Sequence, residues 1–134
     1  MESHNIILVS ERRSPVVAAL RLYEDSNECR LELSFDGQSF AATGDDFFES
    51  FSAIREHLEP LGFLPKCYGA HLRAFPSGMS RSMGGGIQVY RLTPGLQART
   101  KDLIHMFETD DEVQPATVRE QRAFFEQWLA SLGK

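Results

Sequence analysis

Ser77, Ser80 and Ser82 lie close along the chain to Cys67 and His71, so a serine or cysteine nucleophile with a histidine base can be drawn. The drawing lacks its orienting acid, because no Asp or Glu occurs between Leu61 and Lys101. It also lacks a Gly-x-Ser-x-Gly elbow, since Ser77 stands in Pro-Ser-Gly. Paired carboxylates fare no better, as Asp45-Asp46 reads as the start of a helix and Asp110-Asp111 as a solvated loop. No catalytic residue is assigned on these grounds.

Anion binding suits the same stretch better. Phe75 to Gly86 packs one proline, four glycines, three serines, two methionines and one arginine into twelve residues. Gly78, Gly84, Gly85 and Gly86 would let backbone amides turn toward a phosphate or carboxylate, with Ser77, Ser80, Ser82 and Arg81 as further donors. Neither the Walker spacing nor the Rossmann spacing is present. The competing reading is that the glycines only close a hairpin and Arg81 pairs with Asp110, Asp111 or Glu112.

Charge is distributed unevenly around this stretch. The 134-residue chain has net charge −5, yet Lys66, Arg73, Arg81, Arg91, Arg99 and Lys101 fall in one acid-free block and all nineteen acids lie outside it. Overall acidity argues against general coating of nucleic acid, which needs a broad positive surface. The acids at Asp45, Asp46, Glu49 and Glu56, and the loop Asp110, Asp111, Glu112, would instead attract a basic protein. Met79 and Met83, four apart, would share a side of a helical turn after Pro76 and offer an adaptable contact surface.

His4, His57, His71 and His105 show no spacing with the cysteines that completes a metal site. Cys67 and His71 would share a strand face but lack the third and fourth ligands zinc wants, so no metal or cofactor is expected. Cys29 and Cys67 read as buried free thiols of a reducing compartment. No apolar run reaches the length of a spanning helix, and the first residues lack the pattern of a signal peptide, so a cytoplasmic location away from membranes is expected.

The elements that must position these residues read as a single domain over 1–134. Ile6 to Val9, Val16 to Tyr23, Cys29 to Phe35 and Gln38 to Ala42 read as strands, with Cys29, Leu31, Leu33 and Phe35 on one face and Asp36-Gly37 as a two-residue hairpin turn. Thr43 is placed to cap a helix whose Phe47, Phe51, Ile54 and Leu58 recur at helical spacing, ending at Pro60 and Gly62. Cys67 to Phe75 and Ile87 to Leu92 read as the hairpin that carries the glycine-rich connection. Its parity would set Cys67, Gly69, His71 and Arg73 as a shallow floor beneath that connection. Leu103 to Phe107 reads as a last strand, and Thr117-Val-Arg-Glu120 as the capping box of a helix that buries Val118, Phe125, Trp128, Leu129 and Leu132. The expected fold is α+β: an antiparallel sheet of about six or seven strands with two amphipathic helices on one face, in the order β-β-β-β-α-β-β-β-α.

The run Pro-Ser-Gly-Met-Ser-Arg-Ser-Met-Gly-Gly-Gly, the following Val-Tyr-Arg-Leu and the closing Ala-Thr-Val-Arg-Glu-Gln-Arg-Ala-Phe-Phe-Glu-Gln-Trp-Leu resemble a group of small bacterial proteins. Some of these are similar to immunity partners of polymorphic, Rhs-type toxins. The resemblance covers about the last half of the chain and brings no catalytic residue with it. It implies a non-enzymatic binding protein that occludes the active site of a cognate protein toxin, and the residues read above place the binding set at Ser77, Gly78, Met79, Ser80, Arg81, Met83, Asp110, Asp111 and Glu112. The alternative is a small anion- or nucleotide-binding domain using Gly78, Ser80, Arg81 and Gly84 to Gly86.

Overall fold

Alternating apolar side chains build the first layer of the structure, a computed structural model that describes residues 2–83 and 85–133, without the side chain of Met83. Strands β1 (Glu2–Val9), β2 (Val16–Asp25), β3 (Glu28–Phe35) and β4 (Gln38–Gly44) form an antiparallel meander. Asp36 and Gly37 both take positive φ, 50° and 74°, as the two-residue turn between β3 and β4 requires. With β5 (Leu64–Pro65) added beside β1, the sheet order is β4-β3-β2-β1-β5. The strands run longer than their apolar cores predict, because polar residues such as Glu2, His4, Glu24 and Asp25 continue the pairing registers.

One face of this sheet is core. Ile6 and Leu8, then Ala18, Leu20 and Leu22, then Cys29, Leu31, Leu33 and Phe35 are all buried on it. Helix α1 (Phe47–Leu58) lies against β3 and β4 with Phe51, Ile54 and Leu58 fully buried. Its cap is Asp46, whose side chain accepts from Glu49 N at 2.8 Å. Thr43 belongs to β4, so the expected threonine cap is replaced by the residue three positions on. Gly62, at φ 87°, ends the 3-10 turn Glu59–Leu61 that follows α1.

The second half differs more from the sequence reading. Cys67 to Phe75 is not a continuous strand: a 3-10 turn occupies Tyr68–Ala70 and only Ala74–Phe75 (β6) pairs with β7 (Gln88–Arg91). β8 (Leu103–His105) completes a separate three-stranded sheet, ordered β6-β7-β8. The fold is therefore α+β with antiparallel sheets of five and three strands, not one sheet of six or seven. A third, short helix, α2 (Gly78–Met83), lies within the glycine-rich connection.

Helix α3 (Val118–Leu132) opens with the Thr117 and Glu120 capping box. Trp128 is core and donates its indole N–H to Leu96 O at 3.0 Å, whereas Leu129, expected inside, is 48% exposed. The buried partner one turn from the N-terminus is Gln121. It meets Arg55 of α1, which is also fully buried, and together they bind the carbonyls of the irregular segment 69–74.

Candidate functional site

The glycine-rich connection is closed by its own polar groups. Ser77 Oγ accepts from Ser80 N at 3.0 Å, Ser80 Oγ donates to Gln88 O at 2.8 Å, and Ser82 Oγ donates to Met79 O at 3.4 Å. Arg81 Nε donates to Asp46 Oδ2 at 2.8 Å, with its guanidinium over the Phe48 ring at 5.7 Å. Asp46 therefore both caps α1 and anchors the connection onto the start of that helix. Phe47 N donates to Gly85 O at 2.7 Å, which fastens the same junction through the backbone.

Gly86 shows why a glycine is needed here. It takes φ 68°, and a Cβ on it would come within 3.0 Å of Asp46 Oδ1. Arg81 thus finds its carboxylate in Asp46 and not in Asp110, Asp111 or Glu112, and the expected loop pairing is corrected. Of the groups proposed as anion donors, Ser80 Oγ, Ser82 Oγ and Arg81 Nε donate within the chain, and Ser77 Oγ accepts there. Gly84, part of that same set, lies outside the described residues, as does the side chain of Met83. Gly78 and Met79 are exposed, Met79 at 72%.

The acidic loop is organised separately. Asp110 Oδ2 accepts from the Tyr68 hydroxyl at 2.6 Å, and its Oδ1 accepts from Glu112 N at 2.9 Å. The hydrogen bond from Tyr68 holds the Asp110 carboxyl below its usual range, while burial and then Asp110 push the Tyr68 phenol up to about 12. Asp110, Asp111 and Glu112 are all exposed. Among the described residues no hydrogen bond or ion pair joins this loop to Ser77, Ser80 or Arg81, so the expected binding set divides into two places.

The drawn nucleophile–histidine pair is not assembled either. Cys67 is fully buried, and burial pushes its thiol up to about 12. His71 Nδ1 accepts from Gln114 N at 2.9 Å, and burial lowers the pKa of its ring. The floor expected beneath the connection is absent because Cys67 is buried in the core and Gly69 packs against Met106 and Phe51.

Beside the connection lies a hollow of about 680 Å³ lined by Glu2, Tyr23, Glu24, Phe47, Gly85 and Ile87. Cys29 records the charge at this end: its thiol is raised first by burial, then by Glu24, Asp46 and Asp45. At the rim Glu2 accepts a hydrogen bond from His4 Nε2, and His105 Nε2 stands 3.7 Å from the same carboxylate oxygen. One ligand atom from each of the three lies within 4.8 Å of the others, a carboxylate and two imidazoles of the type that holds zinc or iron.

The proton positions run against a metal there. His105 Nδ1 accepts from Phe107 N at 3.1 Å, so the neutral ring carries its proton on Nε2, the atom that faces Glu2. The trio is a carboxylate hydrogen-bonded by the His4 imidazole with the His105 N–H facing it, and these rings lower the pKa of Glu2, His4 first. Sequence spacing missed this cluster because β8 brings His105 to β1 across nearly the whole chain. The period-two parity of Glu2, His4, Ile6 and Leu8 was its one available signal. No family model and no curated protein matches this chain.

Proposed function

We propose that the chain is a non-enzymatic protein-binding module, an immunity protein that neutralises a cognate bacterial toxin by seating on it and occluding its active site. The observation that carries this reading is the state of the glycine-rich connection. Its serines and Arg81 are partnered inside the chain, while Met79 is 72% exposed on the same segment. A segment tied to the fold by its own hydrogen bonds that presents a methionine suits contact with a protein surface better than capture of a small anion.

The charge of the neighbouring hollow supports a basic partner. Glu2 and Glu24 line it together with the rings of Tyr23 and Phe47, a setting suited to a Lys or Arg side chain. The net charge of −5 would speed capture of such a partner by steering. The exposed loop Asp110, Asp111, Glu112 supplies a second acidic contact. The alternative, anion or nucleotide binding by residues 76–86, has less support because Ser80 Oγ, Ser82 Oγ and Arg81 Nε already donate within the chain.

The test joins capture with protection. Tagged protein, Met79→Asp, Glu24→Lys and the triple Asp110→Ala/Asp111→Ala/Glu112→Ala are used to pull partners from source cells, and the captured gene is then expressed in a sensitive host. One stoichiometric partner, toxic alone and harmless with the wild-type chain, supports the proposal, and Met79→Asp or Glu24→Lys should lose both effects. A captured partner that is not toxic, or whose toxicity the chain leaves unchanged, would remove the immunity reading.

A further inference from the structure

We infer that the loop following β7 forms a site for a phosphate-sized oxyanion, bound by Arg91, Arg99 and Lys101. Folding sorts the six bases of the acid-free block into different roles. Arg81 is paired with Asp46, Arg73 lies over the Phe124 ring at 5.4 Å, and the backbone of Lys66 is pinned to Ile7 O at 2.7 Å. The remaining three line one hollow of about 210 Å³ together with Thr93, Ala98 and Asp102. Residues far apart in the block are brought together because β7 ends at Arg91 and the chain returns through the 3-10 turn Thr100–Asp102.

The arrangement is held open by the backbone. Arg91 Nη2 donates to Lys101 O at 3.1 Å, which lays the guanidinium along the returning segment. Asp102 Oδ2 accepts from Arg99 N at 2.9 Å, so the one carboxylate in the lining is spent on closing the turn. Among the described residues none of Arg91, Arg99 or Lys101 makes an ion pair. Outside the hollow, Asp110 feels the charge of Arg91 but forms no ion pair with it among the described residues.

Three cations and the one carboxylate of Asp102 around a small hollow leave a local excess of positive charge in a chain that is acidic overall. Two guanidinium groups offer forked donors that match the several oxygens of a phosphate, and Thr93 adds a hydroxyl to the wall. A single carboxylate would satisfy only part of that donor set. The site is separate from the connection at 76–86 and does not depend on the partner proposed above.

The test is titration of the intact protein with inorganic phosphate, followed by the amide resonances of residues 98 to 102 and by thermal unfolding, against potassium chloride at matched ionic strength. Saturable shifts and a raised midpoint are expected with phosphate alone. The double variant Arg91→Ala/Arg99→Ala should weaken binding about tenfold or more, as loss of charge-assisted hydrogen bonds implies. Arg12→Ala, in an exposed loop elsewhere, should leave it unchanged. Shifts reproduced by chloride, or binding untouched by the double variant, would overturn the site. Acetate binding as tightly as phosphate would overturn the assignment to a phosphate-sized oxyanion.

Discussion

Arg55 of α1 donates through Nη1 to Oε1 of Gln121 of α3 at 2.6 Å, and both side chains are buried from solvent. Among the described residues no carboxylate pairs with this guanidinium, though Glu59 and Glu56 act on it at longer range. Its acceptors are Gln121 and the carbonyls of Gly69 and Ala116, and its Nε has no partner among the described residues. Burial lowers the pKa of Arg55 to about 10, which still leaves it charged at neutral pH. Gln121 Nε2 meanwhile donates toward Gly69 O, His71 O and Ala74 O. The pair replaces the regular ladder that segment 69–74 lacks, and so fastens both helices to it.

Gln121→Leu keeps the volume and removes both functions. It would leave a buried charge short of an acceptor and take a donor from Ala74 O, while Gly69 O keeps Arg55 Nη1 and His71 O keeps Ala74 N, at a cost of about 3 kcal/mol. Urea unfolding measures this directly. A loss below about 1 kcal/mol would mean that water takes over the role of the amide.

Asp46 serves both α1 and the glycine-rich connection, so its two variants should separate those duties. Asp46→Asn retains a capping oxygen and weakens the pair with Arg81, while Asp46→Ala loses both and should cost about 2 kcal/mol. Arg81→Ala should cost about 1 kcal/mol. In a double-mutant cycle the two residues should be coupled, and additive effects would contradict the contact.

His71 makes stability depend on pH. Burial depresses its folded pKa below the ordinary 6.5, so on acidification the unfolded chain takes up the proton first. Stability is then complete above about pH 6.5 and falls as pH drops toward the folded pKa. His105, lowered by burial and then by His4, acts in the same direction. His71→Asn keeps an acceptor for Gln114 N, so the urea midpoint should vary less between neutral and mildly acidic pH than in wild type. An unchanged slope would assign the effect to His105.

Cys67 and Cys29 should be unreactive in the folded protein. Both are buried, both thiols are raised, and the thiolate is the reacting form. A thiol-colour reagent should find neither in native protein and both in denaturant. Rapid native reaction of Cys67 would require local opening of segment 67–75.

Local chemistry was readable wherever neighbours along the chain decide it. The alternation of Cys29 to Phe35, the Asp36-Gly37 turn and the box of Thr117 and Glu120 each depend on residues within one turn or one strand, and all three are present. The cap of α1 shifted from Thr43 to Asp46 because β4 holds its pairing with β3 up to Gly44. Leu129 looked like core by periodicity, yet α3 turns Gln121 and Trp128 inward and leaves Leu129 at the rim.

The amino-acid sequence by itself therefore determined an α+β chain of antiparallel strands, its first meander and the position of its two long helices. It also set apart the acid-free block and the glycine-rich connection. Tertiary structure alone decided what those two features face. Arg81 reaches Asp46 across thirty-five residues, Glu2 meets His105 from the opposite end, and Arg91 meets Arg99 and Lys101 where a loop turns back. A charged side chain selects its partner by distance in space, and a segment such as 67–75 that leaves the strand conformation also leaves the parity by which faces are read. Neither quantity is carried by spacing along the chain.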